Sequence, residues 1–231
     1  MIKAVLFDLD GTLAETIESI AKACDRVVAD YGYEGFSRDE YRYFIGNGAR
    51  IQVERAMRHA VARAEGKNPD EVELSKELYD EAYAKYQVYF KETCAYRVYL
   101  YDGMKELMDT LKKKKIKLGV VTNKPHERAL DVIHALVGDD YFDMVLGQKD
   151  SIPKKPAKDM PLAVAKALGV HPSDCLYVGD SCVDMKTGHA AEMFTIGVLW
   201  GYRTREELEE NHADAIIAHP RELLNYLNVN V

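Results

Sequence analysis

Asp8 and Asp10 stand two residues apart at the end of a short apolar run, Val5-Leu6-Phe7, and are followed by Gly11 and Thr12. Such a run reads as a buried strand, and a glycine just after it permits the sharp exit of a chain leaving a sheet. In an open parallel sheet the carboxyl ends of the strands face the ligand crevice, where two acids can meet a metal and a substrate. The same spacing also suits an ordinary Asp-Gly turn, so other residues must decide.

Three more polar groups fall at or just after the ends of expected strands: Thr122 with Asn123, Lys155, and Asp180 with Asp184. Each has a bland reading when taken singly. Thr-Asn after a strand can be a helix N-cap, a lysine before proline a loop residue, and Gly-Asp a turn. On one rim of one sheet they would form an acidic metal site flanked by phosphate-binding donors. Phosphoryl transfer needs both, because charge develops on the equatorial oxygens and must meet preorganised donors and a metal. Asp8, Asp10 and Asp180 offer hard oxygen ligands of the kind that suits Mg²⁺, and no histidine or thiolate cluster favours zinc.

The elements that would carry these groups alternate. Strands are expected at 116–121, 142–146, 176–178, 194–198 and 215–217, with helices at 104–111, 127–136, 161–168, 183–191, 204–210 and 222–227. That alternation predicts an α/β fold with a doubly wound parallel sheet. Between the first strand and this region the pattern is helical only, at about 17–31, 49–65 and 70–92, with Ser37 and Glu40 forming a capping box for a further helix. The row Tyr79, Tyr83, Tyr86 and Tyr89 is read as core packing. The expected organisation is therefore a core domain of residues 1–14 and 99–231, with an all-helical cap domain inserted at 15–98.

A chain of 231 residues with 47% hydrophobic and 30% charged residues has the make-up of a globular protein. The net charge of -7 and the pI near 5.6 argue against a general nucleic-acid or anionic-membrane surface. Nothing at the N-terminus resembles a secretory signal, which predicts a cytoplasmic protein. Cys24, Cys94, Cys175 and Cys182 have neither metal nor redox spacing and read as reduced thiols, with Cys182 open to oxidation in a candidate catalytic loop.

Asp8-Leu9-Asp10-Gly11-Thr12, Thr122-Asn123, Lys154-Lys155-Pro156 and Gly179-Asp180-Ser181-Cys182-Val183-Asp184 resemble the four ordered motifs of the haloacid dehalogenase superfamily. The inserted helices resemble its type 1 cap, and the stretch from Ile152 to Leu208 is most similar to the phosphoglycolate phosphatase branch. The resemblance implies that Asp8 is a nucleophile that becomes an aspartyl-phosphate, and that Asp10 is the general acid and then the general base. It implies that Asp8, Asp180 and the main-chain carbonyl of Asp10 hold Mg²⁺, with Asp184 orienting the metal waters or Lys155. Thr122 and the Asn123 amide would bind phosphoryl oxygens, and Lys155, next to Pro156, would offset the charge of nucleophile and phosphate. Asp10 together with Asp180 argues against a dehalogenase. Lys158 and Glu192 depart from the family pattern, which often has proline at the first and glycine at the second.

The expected function is hydrolysis of a small phosphorylated metabolite by a monomer or homodimer. The rivals are a phosphosugar mutase, a pyrophosphatase and a non-catalytic phosphate-binding regulator, the last having no need of Asp10. Asn47, Gly48 and Arg50 resemble the cap loop of phosphoglycolate phosphatases, where Arg50 would pair with a substrate carboxylate. An interhelical turn with a solvated arginine reads the same residues equally well.

Overall fold

A computed structural model describes residues 1–229, so positions 230 and 231 of the expected core span lie outside the described residues. In chain order the elements are β1 (Ala4–Phe7), β2 (Ala14–Glu15), α1 (Ile17–Asp30), α2 (Arg38–Phe44), α3 (Ala49–Glu65), α4 (Lys76–Thr93) and β3 (Tyr99–Leu100). Then follow α5 (Met104–Lys113), β4 (Lys117–Pro125), α6 (His126–Val137), β5 (Met144–Gln148), α7 (Asp159–Leu168), β6 (Cys175–Gly179) and α8 (Cys182–Ala190). The last elements are β7 (Phe194–Val198), α9 (Arg205–Glu210), β8 (Ala215–Ile217) and a 3₁₀ segment, Pro220–Tyr226, where a terminal helix was expected. The chain divides into two compact units, Met1–Glu15 with the chain from Tyr99 onward, and Thr16–Val98.

In the first unit the described residues build a six-stranded sheet in the order β5-β4-β1-β6-β7-β8, with every pair parallel. From central β1 the chain fills one side with β4 and β5, then crosses to β6 and continues outward to β8. Such a reversal of direction opens a crevice at the strands' carboxyl ends. The inner strands β1, β4, β6 and β7 are buried on both faces, which is why they read as near-continuous apolar runs. Ala4 and Leu6 of β1 join Val121, Leu146, Val164 and Tyr177 in one buried cluster. Gly119 of β4 lies where a Cβ would come within 2.7 Å of Val164, so its lack of a side chain lets α7 close on the sheet.

Two elements escaped the sequence pattern. The two-residue strands β2 and β3 pair antiparallel, Ala14 with Leu100 and Glu15 with Tyr99, so Glu15 belongs to the first unit, one residue past the expected boundary. Strands this short carry no periodicity, and only their pairing defines them.

The second unit is helical. Ser37 and Glu40 make the capping box of α2 in both directions. The helix expected from residue 70 begins at Lys76, because Ser75 accepts from the Leu78 N–H as N-cap, while Pro69–Glu71 forms a separate 3₁₀ turn. Of the four tyrosines on α4 only Tyr86 is fully packed, stacked on Phe90 at 5.1 Å; Tyr79, Tyr83 and Tyr89 are half-buried, which corrects the reading of the row as core.

Candidate active site

The turn after β1 is built by its backbone. The Asp8 N–H donates to the Val178 carbonyl at 2.9 Å, extending the β1–β6 ladder by one residue. Leu13 and Ala14 then donate to the Leu9 carbonyl at 3.1 and 3.0 Å, while Gly11 takes φ +86, a left-handed angle that favours glycine. Glycine is also required sterically, since a Cβ here would meet the Asp180 carboxylate.

Asp8, Asp180 and Asp184 are all buried and form, among the described residues, the group whose carboxylate oxygens lie within 4.8 Å of one another. Their environments differ. Both oxygens of Asp184 are satisfied: Oδ1 accepts from Lys155 Nζ at 2.8 Å and from the Tyr177 hydroxyl at 3.5 Å, and Oδ2 from the Ser181 N–H and hydroxyl at 3.2 and 2.6 Å. Asp180 accepts from the Tyr202 N–H at 2.7 Å and from the Thr12 hydroxyl at 3.3 Å. Asp8 Oδ1 lies 2.8 Å from Lys155 Nζ, an ion-pair distance. Two buried carboxylates close together in an all-oxygen set fit a hard divalent cation held by Asp8 and Asp180. Asp184, already occupied by four donors, fits the role of fixing Lys155.

The electrostatics follow from burial. Burial pushes the Asp8 carboxyl up to about 7, with Lys155 pulling it down and Asp184 adding to the rise. Burial likewise pushes Asp180 up to about 8, reinforced by Asp184 and Asp8 and opposed by the Tyr202 N–H. For Lys155 burial acts to lower the value, but Asp184 and Asp8 outweigh it and hold the ammonium well above its usual range. These carboxylates crowd each other as a bound cation would relieve.

Lys155 is buried where Lys154 is exposed. Its backbone is clamped by Asn123, whose Nδ2 donates to the Lys155 carbonyl at 3.1 Å and whose Oδ1 accepts from the Lys155 N–H at 2.9 Å. The Asn123 side chain thus positions Lys155 across the sheet rim. Thr122 is buried beside it in β4, and its hydroxyl accepts from the Lys124 N–H at 3.2 Å. Asp10 stands apart from the carboxylate group and accepts from Lys124 Nζ at 2.8 Å. Lys124 escaped the sequence reading, although its place between Thr122-Asn123 and Pro125 marks it. Tyr177 was hidden in an apolar strand, where nothing distinguishes a polar hydroxyl partner from a packing residue.

Gly201 completes the rim. A Cβ there would strike Asp180 and the Gly11 carbonyl, so the loop after β7 presses its bare backbone against this side chain. Cys182 is half-buried, and burial pushes its thiol up, aided by Glu207. The rise lowers the fraction of thiolate, the reactive form. Glu192 takes φ +58, a left-handed angle that glycine reaches more easily.

Asn47, Gly48 and Arg50 lie in the second unit. Gly48, φ +94, precedes α3 as its N-cap, and Arg50 in the first turn donates to Asp80 Oδ1 at 3.1 and 3.3 Å. Its guanidinium also lies over the Tyr83 and Tyr79 rings, 4.6 and 5.2 Å from their centroids. No described helix is long and apolar enough to cross a membrane.

A sequence model of the haloacid dehalogenase-like hydrolase family matches residues 5–198. The chain is 33% identical over 223 residues to the phosphoglycolate phosphatase of Yersinia pestis, covering 96% of this chain and 92% of that one. It is 30% identical over 242 residues to the phosphoglycolate phosphatase of Escherichia coli K12, covering 99% and 93%. A solved structure from Lactobacillus delbrueckii subsp. bulgaricus, described as a candidate phosphoglycolate phosphatase, superimposes with a TM-score of 0.88 at 29% identity, covering 97% and 98%.

Proposed function

This chain belongs to the haloacid dehalogenase-like hydrolase family, and from that premise we propose that it is a Mg²⁺-dependent phosphatase whose substrate is phosphoglycolate or a similarly small phosphorylated acid. The observation that carries the reading is the buried group of Asp8, Asp180 and Asp184, whose carboxylate oxygens lie within 4.8 Å of one another, with Lys155 Nζ 2.8 Å from Asp8 Oδ1.

In this reading Asp8 attacks phosphorus, an acyl-phosphate bond forms, and the bond to the leaving oxygen breaks as Asp10 gives that oxygen its proton. In the second half Asp10 takes a proton from water, whose oxygen attacks phosphorus and releases inorganic phosphate and Asp8. Lys155, anchored by Asp184 and Asn123, offsets charge on Asp8 and on the phosphoryl oxygens. Thr122 contributes its hydroxyl to those oxygens. Mg²⁺ held by Asp8, Asp180 and the Asp10 carbonyl would neutralise developing phosphoryl charge. Two features support the substrate class: the near full-length likeness to two phosphoglycolate phosphatases, and the acid Asp10, which a poor alkoxide leaving group needs.

The test is a screen of phosphorylated metabolites with Mg²⁺, ranked by kcat/KM. Phosphoglycolate should lead. A sugar phosphate that is isomerised rather than hydrolysed, or pyrophosphate in first place, would overturn the substrate assignment.

A further inference from the structure

Lys124 is buried, with only 2% of its side chain exposed, and lysine is seldom buried without a partner. Its ammonium donates to Asp10 Oδ1 at 2.8 Å across 114 residues of sequence. Ordering so long a side chain costs rotamer entropy of about 2 kcal/mol, so the fold must fix it by other means.

The fixing lies in the strand. Thr122 of β4 pairs with Gly147 of β5, but Pro125 pairs with the very next residue, Gln148, so Asn123 and Lys124 are extra residues in β4. Such a bulge re-aims the side chains it carries. It closes because Gly147 has no side chain: a Cβ there would lie 2.7 Å from the Lys124 carbonyl and 2.6 Å from the His126 Cα. The Gly147 N–H, turned from the ladder, donates to His126 Nδ1 at 3.2 Å. That bond needs the ring nitrogen unprotonated, and burial does lower the His126 value. The bulge also brings the Lys124 N–H onto the Thr122 hydroxyl at 3.2 Å.

We propose that Lys124 is a positioning residue for the proposed reaction, fixing the Asp10 carboxylate where it exchanges a proton with the leaving oxygen and then with water. The assignment rests on the reading of Asp10 as general acid and base. The β4 bulge, with Gly147 and His126 behind it, is the support that keeps Lys124 aimed.

Proton donation matters for an alkyl phosphate and little for p-nitrophenyl phosphate, whose leaving group departs without a proton. The Lys124→Met variant should therefore lower the ratio of kcat/KM for phosphoglycolate to kcat/KM for p-nitrophenyl phosphate, which reads the steps up to loss of the leaving group and not the shared hydrolysis that follows, by about tenfold or more, within the range that general acid catalysis contributes. Lys124→Arg should restore part of the ratio. In the double variant Asp10→Asn with Lys124→Met neither buried partner is left charged alone, so it stays folded even where Lys124→Met does not. There Lys124→Met should cost the alkyl substrate no more than about twofold beyond Asp10→Asn. An unchanged ratio, or a further loss of about tenfold in the double variant, would overturn the proposal. Absence of wild-type turnover on either substrate would instead overturn the phosphatase reading beneath it.

Discussion

Asp8 Oδ1 and Lys155 Nζ stand 2.8 Å apart with both side chains buried, and the same ammonium reaches Asp184 Oδ1 at 2.8 Å. One cation therefore holds two carboxylates that would otherwise repel. Breaking a buried pair by removing one partner costs about 3–5 kcal/mol, because the remaining charge is left unpaired. Lys155→Met should lower the metal-free stability by that amount in urea denaturation at neutral pH and abolish most turnover. A loss below about 1 kcal/mol, the scale of an exposed pair, would show that Lys155 is not the counter-ion of this site.

The raised carboxylates set the pH response of the metal-free protein. Asp8 and Asp180 move from 3.8 to about 7 and about 8 on folding, so the fold binds protons that the unfolded chain has released. Their stabilising contribution is complete below the unfolded value and is lost as the pH rises through about 7 and 8. Tm in chelator should fall by about 5 °C or more between pH 5 and pH 8.5. Mg²⁺ competes with those protons, so its stabilisation should be larger at pH 8 than at pH 6. Carboxylates lowered by partners, such as Asp109 and Asp143, act at more acid pH and leave this window untouched.

Gly201 offers a steric test of Asp180. A methyl group at this position would strike the Asp180 side chain and the Gly11 carbonyl, and backbone cannot yield as a flexible side-chain end does. Gly201→Ala should raise the Mg²⁺ concentration for half-maximal activity by about tenfold, the scale expected when a ligand's support is disturbed. An unchanged metal requirement would remove Asp180 from metal binding.

The expectation that Arg50 recognises a substrate carboxylate can be tested by substitution. Its guanidinium is engaged by Asp80 and lies over two tyrosine rings, so recognising a substrate carboxylate would require exchange of Asp80 for the ligand. Arg50→Ala should raise KM for phosphoglycolate by about tenfold, and for p-nitrophenyl phosphate, which lacks a carboxylate, by about twofold at most. Equal changes would leave Arg50 as a structural residue of α3 and α4.

Much of the fold was legible because its signals are local. Strands such as Phe194–Val198 are buried on both faces and read as apolar runs, and the α3 boundaries were marked by glycines at both ends. What was not legible depends on partners distant in sequence. The pairing of β2 with β3 joins residues some 85 positions apart, and its strands are too short for any period. The α4 start was set by a serine cap rather than by the apolar pattern. In the site, Asp8, Asp10, Thr122, Lys155 and Asp180 could be singled out because carboxylates and donors at strand ends are conspicuous. Lys124 could not, because its meaning comes from a bulge that exists only where β4 meets Gly147 of β5. The Asn123 clamp on the Lys155 backbone is likewise a tertiary fact.

The central claim is that Asp8 carries the phosphoryl group. Acid quenching during turnover of phosphoglycolate, followed by borohydride reduction and peptide mass spectrometry, reads that site directly, since an aspartyl-phosphate is reduced to homoserine. The account predicts homoserine at position 8 in the wild type, dependent on Mg²⁺ and substrate. Reduction at another residue, or none while phosphate is being released, would contradict it.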